Sequence, residues 1–261
     1  GAGGRMASAI RVGLSRHASE KTVAVFDPAL NASPSNWPAP SDRICSSEKE
    51  LFESARWVVW AIKPQVFAAE FLPRSEIPFP GEAWISIMAG VSLSTLQRLS
   101  PKTAVVRTMP NTPLMQAEGM VALAGGAGVS PDLLGRVESF FAPVARTLRV
   151  EESAIDGVTA ISGSGPAYLF ELSEQVENLA RLFSLEKKQA RQLWAQTLRG
   201  AASMLEHSPL EAGALRDQVT SPGGTTQAAL EVMRRDGFGD IFSKALVAAR
   251  DRSRELAAAQ G

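Results

Sequence analysis

Ser221-Pro222-Gly223-Gly224-Thr225-Thr226 sets three hydroxyls around two glycines, directly ahead of the amphipathic run Gln227-Ala228-Ala229-Leu230-Glu231-Val232-Met233. The pattern predicts a helix start. Pro222 suits the first helical turn, where its missing N–H would have had no partner. Gly223 and Gly224 would leave backbone N–H groups bare, and the unpaired donors of a first turn, with the helix dipole, seat an anion. Ser221, Thr225 and Thr226 would ring that seat with hydroxyls, at a size that suits a small carboxylate. No lysine accompanies the glycines, as a nucleotide P-loop would require. A well-capped helix after a tight turn would carry the same letters, and the segment alone does not separate the two readings.

A second glycine-rich stretch, Gly1-Ala2-Gly3-Gly4-Arg5-Met6-Ala7, leads into a predicted helix over Ser8–Leu14. In a dinucleotide fold such glycines let the backbone approach a pyrophosphate that faces the helix N-terminus. Gly3, Gly4, Arg5 and Met6 are the candidates, with Ala2 in the first glycine's place. A strand is expected just before such a motif, and the sequence begins at Gly1 itself. Asp27 stands roughly 20 positions on, where an acidic residue would bond ribose hydroxyls. A carboxylate there repels a 2′-phosphate, and no Lys or Arg follows until Arg43. This leans to NADH over NADPH, although Arg5 could reach a phosphate. Asp27 could equally open an Asp-Pro turn.

Composition narrows the class. Lys plus Arg and Asp plus Glu number 27 each, so no global field draws nucleic acid or an anionic membrane. Apolar content of 45% over 261 residues supports one large or two modest cores. No apolar stretch is long enough to span a bilayer, and no signal-peptide pattern opens the chain. Cys45 is the only cysteine, and His17 and His207 are the only histidines. An internal disulfide and a thiolate cluster are excluded, a histidine-rich metal site or a Ser-His-Asp triad is hard to build, and no metal is expected. A cytoplasmic enzyme or binding protein fits these features.

The elements that must position these residues fall into two rhythms. Residues 1–150 alternate apolar runs with helical stretches, which predicts a Rossmann-like α/β domain with a parallel sheet. Candidate strands are Val23–Phe26, Trp57–Ile62, Trp84–Met88 and Ala104–Arg107, each nearly continuous in apolar residues. Residues 29–42 read as a proline-rich loop. From about residue 151 the chain reads as all-helical, with helices from Pro166 to Phe183, Glu186 to Glu206, Gly223 to Arg235 and Phe238 to Ala258. Leu193, Trp194, Thr197, Leu198, Ala201 and Leu205 make an apolar stripe, read as core or subunit interface.

Five ordered segments resemble the pyrroline-5-carboxylate reductase family: Ala61–Gln65, Ser86–Val91, Arg107–Pro113, Ser162–Tyr168 and Arg216–Thr226. The resemblance runs nearly end to end and is weakest over residues 27–56. It implies a Rossmann domain followed by a helical domain that builds an intertwined dimer, often joined into rings. It places the active site between the cofactor domain and the helical domains of that dimer. By position, Ala61, Ile62, Lys63, Pro64, Ala89 and Gly90 would lie along the cofactor, and Met109, Pro110 and Asn111 beside the nicotinamide. Read without the resemblance, Lys63-Pro64 is a strand-ending turn and Asn111 a turn residue. Glu152 and Gln218 would line the substrate pocket with Gly223, Gly224 and Thr225. Three departures stand out. Glu48 replaces an asparagine near the adenine ribose, Ala2 replaces a glycine, and Asn178–Phe183 replaces a glycine-containing helix segment.

The implied reaction reduces the cyclic imine 1-pyrroline-5-carboxylate to L-proline with NADPH or NADH. Ser221 would hold the substrate carboxylate, and Thr226 would face the ring nitrogen as orienter or proton donor. A β-hydroxyacid dehydrogenase is disfavoured, since no lysine lies between Val150 and Glu186. A catalytically weak nucleotide-binding or assembly homologue is the other alternative, and the intact hydroxyl-lined helix start argues against it.

Overall fold

The computed structural model describes residue 4, residues 6–11, residues 23–28 and residues 42–258. Gly3 and Arg5, most of the 29–42 loop and His17 lie outside the described residues. Packing divides the chain into two compact units, residues 1–166 with 248–261, and residues 167–247. The sequence reading cuts the chain once, near 150. The last helix explains part of the difference, because Ser253 Oγ donates to Asp156 Oδ1 at 2.7 Å and ties its C-terminal turns to the first unit.

The first unit opens with helix α1 (residues 6–11) and the short parallel pair β1 (Ala24–Val25) and β2 (Arg43–Ile44). Helix α2 (Glu48–Ser54) then leads to the main sheet. Its strands are β3 (Trp57–Trp60), β4 (Ala83–Ser86), β5 (Ala104–Pro110), β6 (Gly119–Gly125) and β7 (Ala145–Arg149), in that spatial order. Between them lie α3 (Pro64–Glu70), α4 (Leu93–Leu99) and α5 (Pro131–Phe141). β3, β4 and β5 run parallel, with Trp60, Ser86 and Arg107 in one row. β6 is antiparallel to β5 and parallel to β7, so the sheet is mixed rather than wholly parallel.

Side-chain alternation sends successive residues to opposite faces and builds two cores. One face carries Val58, Trp60, Trp84, Val105 and Ala122, packed against Phe52, Phe67 and Ile155. Trp60 is its centre, with its ring 4.9–5.8 Å from those of Phe52, Phe67, Phe71 and Trp84. Ala83, Ile85, Val106, Val121 and Leu123 face the other way onto Ile10, Val137 and Phe141. Coverage of both faces is why β3, β4 and β5 read as largely apolar runs, interrupted only by Ser86, Arg107 and Thr108. The four candidate strands match β1, β3, β4 and β5. β2, β6 and β7 are additions to the reading: β2 has two residues, β6 is rich in Gly and Ala, and β7 is an edge strand bearing Arg146 and Arg149.

After the sheet come a short helix α6 (Ile155–Val158), a π-helical turn over Thr159–Gly163, and α7 (Gly165–Leu179). The second unit holds most of α7, α8 (Lys187–His207), α9 (Ala212–Gln218), α10 (Thr225–Arg235) and the first half of α11 (Phe238–Ala258). Helix α9 was not among the expected helices. Residues 180–183 end the α7 region as a 3-10 turn rather than continuing the α-helix to Phe183. The apolar stripe of α8 is not core, since Leu193 and Leu205 are more than half exposed. Phe170, Leu182, Phe183 and Ile241 are exposed to a similar extent. Among the described residues no helix is long and apolar enough to cross a membrane.

At the amino ends of β3 and β4, Glu82 gathers three donors. Its Oε2 accepts from Arg56 Nε at 2.8 Å, Trp57 Nε1 at 2.9 Å and Arg136 Nη1 at 3.0 Å, and its Oε1 contacts Arg136 Nη2. The Arg136 hydrogen bonds, with Trp57 next, lower the Glu82 carboxyl from the ordinary 4.5 to about 2. A carboxyl whose folded pKa is depressed stabilises the fold above its unfolded value and loses that contribution as pH falls through the folded one. Between about pH 4.5 and 2 the wild-type thermal midpoint should therefore drop more steeply than that of Glu82→Gln. Parallel slopes for the two proteins over that window would show that the network contributes nothing to acid sensitivity.

Candidate active site

The parallel register of β3, β4 and β5 brings three loops to one sheet edge, the edge where α/β sheets bind ligands. Ala61 and Ile62 follow β3, and Ile62 packs on the aromatic core. Lys63 is the exposed N-cap of α3 and uses no side-chain bond for it, while Pro64 takes the first helical position. Ile87 N–H donates to Trp60 O at 3.1 Å and carries the β3–β4 pairing past the strand ends. Ala89 is exposed and Gly90 buried, with Gly90 at φ +77°, a conformation that disfavours a side chain. At the end of β1, half-buried Asp27 lies two residues beyond Val25. Gly4 is exposed, and its carbonyl accepts from Ser8 N–H at 2.9 Å. Met6 packs with the Ile10–Phe141 core, so its side chain is structural.

Met109 and Pro110 are the last residues of β5, not a loop beyond it. Asn111 is fully engaged: Oδ1 accepts from Met120 N–H at 2.8 Å, and Nδ2 donates to Ser162 Oγ at 3.2 Å. Its amide therefore joins β5 and β6 to the π-helical turn. Gly163 in that turn is a close-approach glycine, since a Cβ there would stand 2.6 Å from Met109 Cε. π-turns of this kind occur often at functional sites. The sequence reading assigned no role to Ser162 or Gly163. Their signal was available as a Ser-Gly-Ser-Gly run breaking a helical stretch.

Glu152 also has internal partners. Its Oε1 accepts from Leu93 N–H at 2.7 Å and from Arg107 Nη1 at 2.9 Å. Arg107 is buried within β5; the sequence reading has it as the end of a strand and the start of the Arg107–Pro113 segment, with no partner assigned. A lone charge in an otherwise apolar run signals a required partner. Glu48 pairs with Arg74 through both carboxylate oxygens, at 2.6 and 3.3 Å, and Arg74 lies over the Phe71 ring.

In the second unit the 221–226 segment departs from the expected helix start. Gly224 N–H donates to Ser221 O at 3.0 Å, with Pro222 between them and Gly223 at φ +73°. Proline then positive-φ glycine is the signature of a type II turn. Pro222 is thus a turn residue, and α10 starts at Thr225 with Gly224 as its cap. The two glycine N–H groups are not bare, because Gly223 N–H donates to Gln227 Oε1 at 2.7 Å. Ala228 N–H donates to Gly224 O, so Thr225, Thr226 and Gln227 precede the first intrahelical bond and supply the first-turn donors. Ser221 Oγ closes over the turn, 2.5 Å from where a Cβ at Gly224 would stand. Thr226 is half-buried and Ser221 exposed, and Gln218 ends α9 on the surface. Among the described residues no group of three His, Cys, Asp or Glu side chains could hold a metal.

Comparison with known proteins agrees with this architecture. A family model described as pyrroline-5-carboxylate reductase dimerisation matches residues 152–256. Two crystal structures align along nearly the whole chain. The 1-pyrroline-5-carboxylate reductase of Streptococcus pyogenes does so at TM-score 0.87 and 29% identity, covering 97% of this chain and 95% of that one. The pyrroline carboxylate reductase of Plasmodium falciparum, solved with NADP bound, does so at TM-score 0.85 and 25% identity, covering 98% and 96%. The pyrroline-5-carboxylate reductase of Haemophilus influenzae is 35% identical over 260 residues, 97% of this chain and 95% of the relative. With a helical dimerisation region behind a Rossmann-like sheet, and with likeness of that extent, the chain belongs to the pyrroline-5-carboxylate reductase family.

Proposed function

We propose that this protein reduces the cyclic imine of 1-pyrroline-5-carboxylate to L-proline with a nicotinamide dinucleotide, as the final step of proline formation. The likeness to Haemophilus influenzae pyrroline-5-carboxylate reductase along 97% of the chain carries the reading. A bound dihydronicotinamide supplies the hydride that the imine carbon accepts. Ala61–Pro64, Ala89 and Gly90 hold the dinucleotide along the sheet edge, with Gly3, Gly4 and Arg5 at its pyrophosphate. The end of β5, Met109 to Asn111, backs the ring. The first-turn N–H groups of α10, with Ser221 and Thr225, hold the substrate carboxylate by charge-assisted bonds. Thr226 presents its hydroxyl to the ring nitrogen, which must gain or retain one proton as the carbon gains hydride. A neutral threonine is a weak acid, so Thr226 orients the nitrogen and water delivers the proton. Gln218 closes the substrate side.

The remaining assignments belong to the same reading. Asp27 at the end of β1 favours ribose hydroxyls over a 2′-phosphate, which makes NADH the preferred reductant. Residues 1–150 form the dinucleotide domain, and residues 151–261 form the substrate and dimerisation domain. The exposed apolar side chains of α7, α8 and α11 are the surface that a second copy covers. Rings of such dimers and a cytoplasmic location follow the family pattern.

Proline formation from the imine, followed with NADH and with NADPH in parallel, tests the activity. Turnover with both, at higher kcat/KM for NADH, is expected. No proline with either reductant overturns the function, and an NADPH preference overturns only the role given to Asp27.

Gly224→Ala probes the carboxylate seat. Its Cβ would stand 2.5 Å from Ser221 Oγ and 3.1 Å from Ser221 O, so the Ser221 hydroxyl must rotate away and the turn must give by a few tenths of an ångström. The KM for the imine should rise by about tenfold, the equivalent of losing about 1.4 kcal/mol of binding. Dinucleotide affinity measured by calorimetry should hold. The reverse pattern would mean that the seat takes the dinucleotide.

Thr226→Val keeps the β-branched shape and removes the hydroxyl. Losing a bond made mainly in the transition state costs about 1.5–3 kcal/mol. The kcat should then fall roughly ten- to a hundredfold with KM little changed. A raised KM at unchanged kcat would reassign the hydroxyl to ground-state binding.

A further inference from the structure

Arg107 is the one charged residue in the seven of β5, and its side chain is 7% exposed. Its partner Glu152 comes from the 3-10 turn Glu152–Ala154, just past the sheet. The Glu152 oxygen that takes Arg107 Nη1 also takes Leu93 N–H, the first residue of α4. One carboxylate therefore joins β5, the start of α4 and the chain leaving the sheet.

Each joined piece lies next to a cofactor-side segment. Arg107 and Met109 are two apart on one strand, so they share a face. Leu93 is three residues after Gly90, whose positive φ sets the loop's direction. Within the first turn of α4, Ser92 Oγ already accepts from Thr95 N–H at 3.1 Å, and Glu152 serves Leu93 N–H from outside the helix. Rotation of α4, and of the Ala89–Gly90 loop leading into it, is thus limited by Glu152. Glu152 is in turn held by a buried guanidinium, which would lose its countercharge if the carboxylate moved away. Stability alone does not call for this arrangement, because well-packed apolar residues often replace a buried ion pair without loss.

We propose that Arg107 and Glu152 are positioning residues for the reduction. Together they fix the Ala89–Gly90 loop relative to the Met109–Asn111 strip, and so set the height and tilt of the nicotinamide held there. The inference rests on the proposed function for the ligand. It moves Glu152 from the substrate pocket to the support of the cofactor side.

Glu152→Gln keeps the size and one acceptor oxygen but removes the charge. Arg107→Met/Glu152→Met removes both charges and leaves no unpaired ion, so it serves as the folded reference. Three readouts are needed: dinucleotide Kd by calorimetry, imine KM, and the single-turnover rate of hydride transfer by stopped flow. Misplacement of a reacting group by an ångström costs on the order of a hundredfold, so a fall of about tenfold or more in the single-turnover rate is expected for both variants. Dinucleotide Kd should rise severalfold and imine KM should stay close to wild type. A pair that only stabilises the fold would lower the thermal midpoint and leave the hydride rate and Kd of the folded protein alone. That outcome in the double variant overturns the proposal, and so does a rise confined to imine KM. Failure of the wild-type protein to form proline would instead overturn the function on which the inference rests.

Discussion

Parallel pairing of β3, β4 and β5 is the constraint on which the first unit depends. Strands hydrogen-bonded in one direction have their carboxyl ends on one edge, and the chain must return across a face of the sheet between them. Both faces are then covered and both must be apolar. Here one face is aromatic, centred on Trp60 and Trp84, and the other aliphatic, centred on Ile85 and Val106. The carboxyl edge is where this apolar demand ends, and it is where Ala61, Ala89 and Gly90 replace large side chains. The loops at this edge therefore follow from the need to cover the sheet, and their small residues mark where that need ends.

The second unit reaches a comparable result by different means. A type II turn spends the glycine N–H groups that sequence alone would assign to a ligand, and it passes the role to Thr225, Thr226 and Gln227. The hydroxyls keep their place around the turn while the donors shift by two residues. Gln227 illustrates the economy of the arrangement, since its side chain caps the turn through Gly223 N–H and also donates to Glu231 Oε1. The turn is thus held from both sides by its own hydrogen bonds.

Much of this was legible in the residues, and what was not has physical reasons. Apolar runs announce β3, β4 and β5 because strands covered on both faces have few polar positions to confuse the pattern, Ser86, Arg107 and Thr108 being the exceptions. β6 hides because Gly, Ala and Met suit any element, and β7 because an edge strand may be polar. Helices α8 and α11 were found within a residue of their ends, where periodicity is long. Proline and glycine misplaced the start of α10, since Pro222 suits a helix start and a turn equally well. Paired charges were the least visible: nothing local in the sequence links Glu152 to Arg107, 45 positions away, or to Leu93, 59 away.

The two Glu–Arg networks at opposite ends of the sheet show why such links carry different weight. At the amino ends, Glu82 takes Arg56, Trp57 and Arg136 where water still reaches the carboxylate and both guanidinium groups. Solvent screens these pairs, and rearrangement there costs little. At the carboxyl ends, Arg107 is withdrawn from water and has Glu152 as its countercharge. A withdrawn charge has few alternative geometries, because every other position of its partner leaves it unpaired in a low-dielectric medium. The same chemical pair is thus compliant at one edge and stiff at the other. Stiffness is what hydride transfer between two bound ligands requires, since the C–H bond that breaks and the C–H bond that forms lie on separate molecules held in place only by the protein.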